Sequence, residues 1–186
     1  MTLTNKNTEQ LVELCKDGNQ LAQLEIYNRY YKAMYNTALR IVKDSFEAED
    51  VMQESFLMAF TKLSSLKDSK MFGAWLKRIV VNGSIYNYKK SIKFQDVPLE
   101  SVEYKLQQSD EDTENEEAFN SLKASELLES MNSLKDNYRI ALNLYLVEGY
   151  DYEEISEIMN ISYANSRTTI SRAKQSLKQK LLASVI

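Results

Sequence analysis

The chain has 186 residues and is 44% hydrophobic, so it can bury the cores of two small domains, and its net charge is −4. Four glycines and one proline are too few turn residues for a many-stranded sheet, which favours an all-α fold. The absence of histidine excludes histidine-based catalytic triads and zinc-protease motifs.

The N-terminal segment, residues 1–16, is polar and has no apolar run of signal-peptide length. No stretch of the chain approaches the roughly 20 apolar residues of a membrane span. We therefore expect a cytoplasmic protein without membrane insertion. Cys15 has no second cysteine for a disulfide or a multi-cysteine metal site, and we expect it to be a small apolar residue on the first helix. No metal or cofactor is indicated.

Apolar residues next recur at steps of three and four along three successive stretches, which predicts three amphipathic helices in the core of a first domain. The tyrosines and methionines that follow this period are interpreted as core residues and not as a cofactor site. The predicted inward residues are Leu24, Tyr27, Tyr31, Met34, Tyr35, Ala38 and Val42, then Ala48, Val51, Met52, Ser55, Phe56, Ala59, Phe60 and Leu63, then Phe72, Trp75, Leu76, Ile79, Val80, Gly83 and Tyr86.

The second of these helices also carries a polar set on the opposite side. Its members are Glu47, Asp50, Gln53 and Glu54. A solvated face is the default interpretation of such a set, and a protein-binding role is the alternative.

Residues 61–95 contain eight basic residues and one acid, a net charge of +7, and aromatic residues are interleaved with them. Cationic side chains combined with stacking surfaces suit single-stranded DNA. Phe72 and Trp75 also follow the core period, so we assign them to the core. Tyr86 stays undecided, whereas Tyr88 lies off the stripe and is freer to meet a ligand.

An acidic stretch follows, with nine acids and one lysine in residues 96–119, a net charge of −8. Pro98 and the scarcity of apolar residues favour a flexible solvated linker over residues 96–120. The sequence therefore predicts two small helical domains, residues 1–95 and residues 121–186.

The second domain is predicted to contain a helix-turn-helix. Asp151 and Glu154 have the spacing of a capping box at the start of a short helix, and residues 160–162 connect it to a longer one. The inward residues of the longer helix are predicted to be Ser166, Ile170, Ala173 and Leu177.

Residues 165–180 contain five basic residues and no acid, so the longer helix is suited to DNA. Side chains opposite its apolar stripe can reach base edges in the major groove, whereas lysines beyond them neutralise phosphates. A merely solvated basic face is the alternative. The groove candidates are Asn165, Thr168, Arg172 and Gln175, with Arg167 and Thr169 at the margins, and the phosphate candidates are Lys174, Lys178 and Lys180.

Several of these segments resemble the bacterial extracytoplasmic-function (group IV) sigma factors. Residues 49–56 (EDVMQESF) and 72–79 (FGAWLKRI), followed by Asn82, are similar in order and spacing to the second conserved region of that family. Residues 134–177 resemble the fourth conserved region, in which the pairs at 166–167 and 172–173 match a Ser-Arg and Arg-Ala pattern.

The resemblance implies a non-enzymatic subunit that binds core RNA polymerase and directs transcription initiation at particular promoters. It implies that Asp50, Gln53 and Glu54 dock on the clamp helices of the beta-prime subunit. It further implies contacts with the beta subunit, with promoter DNA and with an anti-sigma factor. The acidic linker would run near the active-site channel of the polymerase.

The same resemblance implies that the first domain reads and helps to melt the minus-10 element. The loop at residues 64–71 would hold an unstacked base. The side chains that would lie along the DNA strand are Lys77, Arg78, Asn82, Lys89 and Lys90. The C-terminal helix would read the minus-35 element through Asn165, Arg167, Thr168, Arg172 and Lys174.

Some positions depart from the family pattern. Tyr86 stands where aspartate is common. Lys89 stands where arginine is common, so its charge still attracts phosphate but the bidentate contact of a guanidinium is lost. In the C-terminal helix, Asn165 and Ser166 replace a usual Thr-Val pair, and Thr169 replaces a frequent arginine. We expect unusual base specificity at minus 35.

Two other classes of protein remain as alternatives. A response-regulator-like transcription factor would need alternating strands and helices before residue 95, and no strand-period segment occurs there. A DNA-cleaving enzyme with a tyrosine nucleophile is suggested by the twelve tyrosines, but no base or arginine cluster accompanies any one of them.

Overall fold

The computed structural model describes residues 3–94 and 124–184, and every regular element within those residues is helical, which confirms the all-α prediction. The predicted linker, residues 96–120, lies outside the described residues. The helices are α1 (Thr8–Lys16), α2 (Gln20–Val42), α3 (Ser45–Thr61), α4 (Phe72–Phe94), α5 (Ala124–Asn132), α6 (Asp136–Leu142), α7 (Tyr152–Met159) and α8 (Tyr163–Ser184). Two 3-10 turns (Leu63–Ser65 and Ser69–Met71) and a π-helical segment (Asn143–Val147) complete the secondary structure of the described part.

Side-chain caps set where the first three helices begin. Each capping oxygen accepts a hydrogen bond from a backbone N–H of the first helical turn, which would otherwise have no partner. The chain turns between α1 and α2 at Gly18, whose φ of 80° suits glycine. The capping residues are Asn7, Asn19 and Asp44.

The N-terminal unit (residues 3–94) is built from four helices, one more than the three that the periodicity predicted for its core. The additional helix is α1, which packs on α2 and buries Leu11, Val12 and Cys15. Cys15 is therefore the small apolar residue that we expected. Burial raises the pKa of its thiol to about 11.

The prediction of the buried face of α2 was partly wrong. Leu24 and Tyr31 are 56% and 44% exposed, whereas Ile26 and Ile41 are buried. The physical reason is that α2 is apolar on more than one side, so periodicity alone does not decide which side the neighbouring helices cover. In α4 the prediction was better, since Phe72 is buried and Trp75 packs against it, although Tyr86 is 72% exposed.

The C-terminal unit (residues 124–184) contains the predicted helix-turn-helix. Asp151 and Glu154 form the capping box at the start of α7, and Asn160, with a φ of 56°, turns the chain toward α8. The four residues of α8 that were predicted to face inward are all at most 1% exposed, namely Ser166, Ile170, Ala173 and Leu177.

Within residues 3–94 and 124–184, no helix is both long enough and apolar enough to cross a bilayer.

Candidate nucleic-acid and protein interfaces

One side of α3 is exposed and mixes acidic with apolar side chains. Asp50, Gln53 and Glu54 are all exposed, as a docking role requires. Phe46 and Leu57, which are 80% and 69% exposed, lie four residues before and seven residues after Asp50, so they share its side of the helix. We call these five residues the α3 face.

Phe46 and Leu57 were not among the predicted site residues. Their spacing of four and seven residues from Asp50 could have been read from the sequence, because residues so spaced share one side of a helix. A large apolar side chain on an exposed polar face is more informative than the polar residues themselves, because contiguous apolar surface marks sites of association.

The loop at residues 64–71 is fixed by hydrogen bonds to α1. Ser69 Oγ donates to Glu13 Oε1, and Lys16 Nζ lies 3.4 Å from Ser69 Oγ. The bond from Ser69, together with a 3.0 Å bond from Lys16 Nζ to Glu13 Oε1, holds the pKa of the Glu13 carboxyl below its ordinary value. Asp68 accepts a hydrogen bond from the backbone N–H of Lys70 (2.9 Å), which shapes the second 3-10 turn.

The five cationic and amide side chains predicted to contact the minus-10 strand all lie on α4. Asn82, Lys89 and Lys90 are exposed, whereas Lys77 and Arg78 are half-buried. We call this set, Lys77, Arg78, Asn82, Lys89 and Lys90, the α4 basic face. The spacing of the set along one 23-residue helix suits a strand that runs beside the helix.

Three members of the α4 basic face contact the C-terminal unit. Lys77 Nζ donates to the backbone carbonyl of Glu148 at 2.8 Å. Arg78 Nη2 pairs with Glu157 Oε2 at 3.1 Å, and Lys89 Nζ donates to the carbonyl of Met159 at 3.0 Å. The cationic groups of Lys77 and Arg78 also lie 5.5 and 5.4 Å from the ring centroid of Tyr150.

The carboxylate of Glu148 is the centre of this contact between the units. Its side chain is only 6% exposed, and Oε1 lies 2.6 Å from Arg40 Nη2. Thr37 Oγ1 donates to the same oxygen at 3.1 Å, and Lys77 Nζ lies 3.6 Å from Oε2. Glu148 follows the π-helical segment, whose wider turn is closed by a 2.9 Å bond from its own N–H to the carbonyl of Asn143.

Arg139, which is fully buried, makes the second part of the contact. Its guanidinium donates to the backbone carbonyls of Arg40 and Ile41, the latter at 3.0 Å. These carbonyls lie in the last turn of α2 and have no partner within the helix, so Arg139 satisfies them and places a positive charge at the negative end of the helix dipole.

Asp136 lies between the units beside Arg139. Its carboxylate accepts from the hydroxyl of Tyr88 (2.9 Å) and from Arg139 (3.1 Å), and Lys43 Nζ is 3.7 Å away. Burial by itself raises the pKa of Asp136, but the hydrogen bonds from Tyr88 and Arg139 and the two positive charges outweigh it and lower the pKa. Tyr88, which we expected to be free for a ligand, is thus engaged, and its pKa is raised by burial and by Asp136.

The recognition helix α8 presents its predicted groove residues on the side away from the core. Asn165, Arg167 and Lys174 are exposed, and Thr168 and Arg172 are half-buried. The hydroxyl of Thr168 donates to the carbonyl of Ala164 at 2.9 Å, so its oxygen is left to accept from a base.

Lys174 also has a partner within its own unit. Its Nζ lies 4.4 Å from the ring centroid of Tyr145, and the ring of Tyr145 stacks on that of Tyr152. A hydrogen bond with Tyr152 and the charge of Lys174 lower the pKa of Tyr145. The lysine is therefore held near the start of α7.

Comparison with known protein families matches both units. Residues 26–92 match the family model described as Sigma-70 region 2, and residues 124–177 match the one described as Sigma-70, region 4. The first match contains the α3 face and the α4 basic face, and the second contains α8 as far as Leu177.

The individual proteins that are similar to this chain are also sigma factors. The chain is 35% identical to the ECF RNA polymerase sigma factor SigM of Bacillus subtilis (strain 168), over 83% of this chain and 91% of that one. It is 28% identical to SigW of the same strain, over 91% and 94%. The solved sigma factor RpoE of Bartonella quintana, in complex with the anti-sigma factor NepR, has the same fold with a TM-score of 0.55 and 22% identity, over 84% of this chain and 94% of that one.

Proposed function

Since this chain belongs to the extracytoplasmic-function (ECF) family of RNA polymerase sigma factors, we propose that three of its surfaces divide polymerase binding and promoter recognition among them. As a sigma factor, it binds core RNA polymerase and directs initiation at particular promoters. The two family matches support this assignment of roles. The region 2 match contains the α3 face and the α4 basic face, whereas the region 4 match contains the recognition helix.

The α3 face is the surface we assign to polymerase, and specifically to the clamp helices of the beta-prime subunit. Exposed Phe46 and Leu57 supply apolar area, and Asp50, Gln53 and Glu54 supply charge and hydrogen bonds around it. Interfaces combine an apolar centre with a polar rim in this way. The C-terminal unit makes the contact with the beta subunit.

The α4 basic face is the surface we assign to the melted minus-10 strand, with the loop at residues 64–71 receiving an unstacked base. Lysine and arginine side chains neutralise phosphates without reading sequence. The bonds between Ser69 and Glu13 support this assignment, because a loop that binds a base in one geometry benefits from being fixed beforehand.

The recognition helix α8 is the surface we assign to the minus-35 duplex. Its first turn and exposed side enter the major groove, where Asn165, Arg167, Thr168 and Arg172 reach base edges and Lys174 contacts a phosphate. In this proposal the domains extend over residues 1–95 and 121–186, with residues 96–120 as the linker.

Further parts of the proposal follow from the family. An anti-sigma factor is a partner of this chain, supported by the solved relative in complex with NepR. The site of action is the cytoplasm, where polymerase and chromosomal promoters are found. The protein has no catalytic step of its own.

Replacing Asp50 and Glu54 together with lysine tests the assignment of the α3 face. We expect the double variant to lose co-purification with core RNA polymerase, because two buried contacts with the partner change from attractive to repulsive. The measurement is retention of core polymerase on the immobilised full-length protein, with the helical circular-dichroism spectrum as a check of folding.

A matched control replaces Glu9 and Asp17 of the N-terminal unit with lysine, which makes the same change in net charge. This control should retain polymerase. If the Asp50 and Glu54 double variant binds polymerase as well as the control, the α3 face is not the docking surface.

A further inference from the structure

The helix α1 lies against the loop that we assign to the unstacked base. It precedes residues 26–92, which match Sigma-70 region 2, so the family match assigns no role to it. Its apolar side packs on α2. Its exposed side carries Glu13 and Lys16, one helical turn apart, and both reach Ser69 of the loop. A helix that packs by one side and bonds to a loop by the other can fix the position of that loop.

The hydrophobic core supports one half of the loop and not the other. Leu63 and Leu66 are buried and anchor the first 3-10 turn. None of the side chains of residues 67–71 is buried, and the next core residue is Phe72. Packing in the core therefore does not determine the conformation of residues 67–71, and hydrogen bonds have to do so.

Hydrogen bonds with α1 supply this support. Ser69 Oγ donates to Glu13 Oε1. Lys16 Nζ donates to the same oxygen at 3.0 Å and lies 3.4 Å from Ser69 Oγ. Because the bonds from Ser69 and Lys16 lower the pKa of Glu13, its carboxylate is ionised near neutral pH and acts as an acceptor. Ser69 is thus held between the acceptor and the cation of one helical turn.

Ser69 lies in a tight turn, so that fixing it also fixes its neighbours. Asp68 Oδ1 accepts from the backbone N–H of Lys70 at 2.9 Å, and the carbonyl of Asp68 accepts from the N–H of Met71 at 3.0 Å. In a 3-10 turn of three residues, a shift of one residue moves the other two. Lys70 and Met71 are exposed, and they are the side chains of this turn that an unstacked base and its phosphate can meet.

The helix α1 also acts on the far end of the loop, through Tyr30 of α2. The hydroxyl of Tyr30 lies 3.5 Å from Thr8 Oγ1 of α1, and its ring packs edge-on against Phe72 with the centroids 5.5 Å apart. A Cβ atom on Gly73 would lie 3.2 Å from Tyr30 Cε1, which is closer than a favourable carbon–carbon contact. Glycine therefore permits the close approach of Tyr30 to the start of α4.

We propose that α1 fixes the base-binding loop and that Glu13 is a positioning residue for recognition of the minus-10 element. Glu13 acts through Ser69: it holds the second 3-10 turn in one geometry before DNA binds. This inference rests on the proposed role of the loop at residues 64–71. A loop that is held in one geometry rejects a base that does not fit, whereas a mobile loop adapts to several bases.

The test is transcription by the full-length protein with core polymerase from one promoter that it uses, with the minus-10 element randomised. A barcode in the transcribed part of each template reports the base preference at every minus-10 position. We expect Glu13→Ala, which removes the acceptor, to reduce the preference for the favoured base at one position by about fivefold. Ser69→Ala should have the same effect, and the double variant should lose no more than either single variant, because each removes the same bond.

Two control variants separate this role from a change in charge. Glu13→Gln keeps an oxygen that can accept from Ser69, and its base preferences should stay within about twofold of those of the unchanged protein. Glu9→Ala makes the same change in charge on the same helix and should also stay within about twofold.

Stability and polymerase binding distinguish positioning from a merely structural role. Glu13 is exposed, and exposed ion pairs contribute little to stability. The melting temperature of Glu13→Ala should therefore lie within about 4 °C of that of the unchanged protein, and its retention of core polymerase should be the same. A fall in total transcription with unchanged base preferences would show a structural role and would contradict the proposal.

The outcome is separable from failure of the proposed function. If Ser69→Ala changes the base preference but Glu13→Ala does not, Ser69 acts on DNA directly, so the role of α1 is wrong and the loop assignment stands. If Lys70→Ala and Met71→Ala also leave every base preference unchanged, the loop is itself wrongly assigned and the role of α1 is overturned with it.

Discussion

At the residue scale, Asp136 shows how one carboxylate can join two folded units. It accepts hydrogen bonds from Tyr88 of α4 and from Arg139 of α6, and Lys43 at the end of α2 lies 3.7 Å away. Three positively polarised groups around a partly buried carboxylate favour its ionised form. The charge of Asp136 therefore contributes to the stability of the folded chain.

The lowered pKa of Asp136 predicts a pH dependence with a definite sign. A carboxyl whose pKa is lower in the folded than in the unfolded state contributes stability above its unfolded pKa and loses that contribution as pH falls through its folded pKa. The free energy of unfolding of the unchanged protein should exceed that of Asp136→Asn at pH 6, and the difference should shrink between about pH 5 and about pH 3.

Urea unfolding of both proteins across this pH range measures the difference. Tyr88→Phe provides a matched control, because it removes one donor to the carboxylate and leaves the carboxylate in place. The pH dependence of the free energy of unfolding of Tyr88→Phe should lie between those of the unchanged protein and of Asp136→Asn. A difference between the unchanged protein and Asp136→Asn that stays constant from pH 6 to pH 3 would contradict this role of Asp136.

At the element scale, we propose that α8 carries a base-reading residue and a phosphate-binding residue on neighbouring positions. Arg172 is half-buried on the side of α8 that we assign to the groove, whereas exposed Lys174 lies over the ring of Tyr145. A bidentate contact between arginine and guanine discriminates among sequences, but a lysine near a phosphate does not. The two residues differ by only two positions and are expected to behave differently.

Arg172→Ala should weaken binding to the minus-35 duplex by about 1–3 kcal/mol and should relax the preference for one base pair. Lys174→Ala should weaken binding to all duplexes alike and should lower the salt dependence. Affinity of the complex with polymerase for duplexes altered at single minus-35 positions measures both effects. An equal loss with Arg172→Ala across every duplex would reassign Arg172 as a phosphate contact.

Elements whose ends are marked by local chemistry were predictable from the sequence, and elements whose orientation depends on neighbours were less so. The capping box at Asp151 and the buried residues of α8 were correctly placed because caps and helical periodicity act within a few residues. The face of α2 was misjudged at Leu24 and Tyr31 because α1, α3 and α4 decide which of its apolar sides is covered.

At the scale of the whole molecule, the contact between the units could not be predicted. Arg40 and Glu148 are 108 residues apart in the sequence, and nothing in the residues around either one indicates the other. The charge pattern did indicate two basic surfaces and an acidic chain, but it did not show that the first basic surface meets acidic side chains of the second unit. Long-range ion pairs depend on the packing of the complete chain.

The net charge of the whole chain leads us to expect weak DNA binding by the free protein. With a formal charge of −4, the free chain is repelled by DNA at long range, while its two basic surfaces attract DNA locally.

The central claim, that this chain directs promoter-specific initiation, is tested most directly by transcription of a genomic fragment library with bacterial core polymerase, with and without the protein. We expect start sites that occur only when the protein is present, and that share sequence elements near minus 10 and minus 35. Addition of the protein without any new start sites, or new start sites that share no upstream sequence, would contradict it.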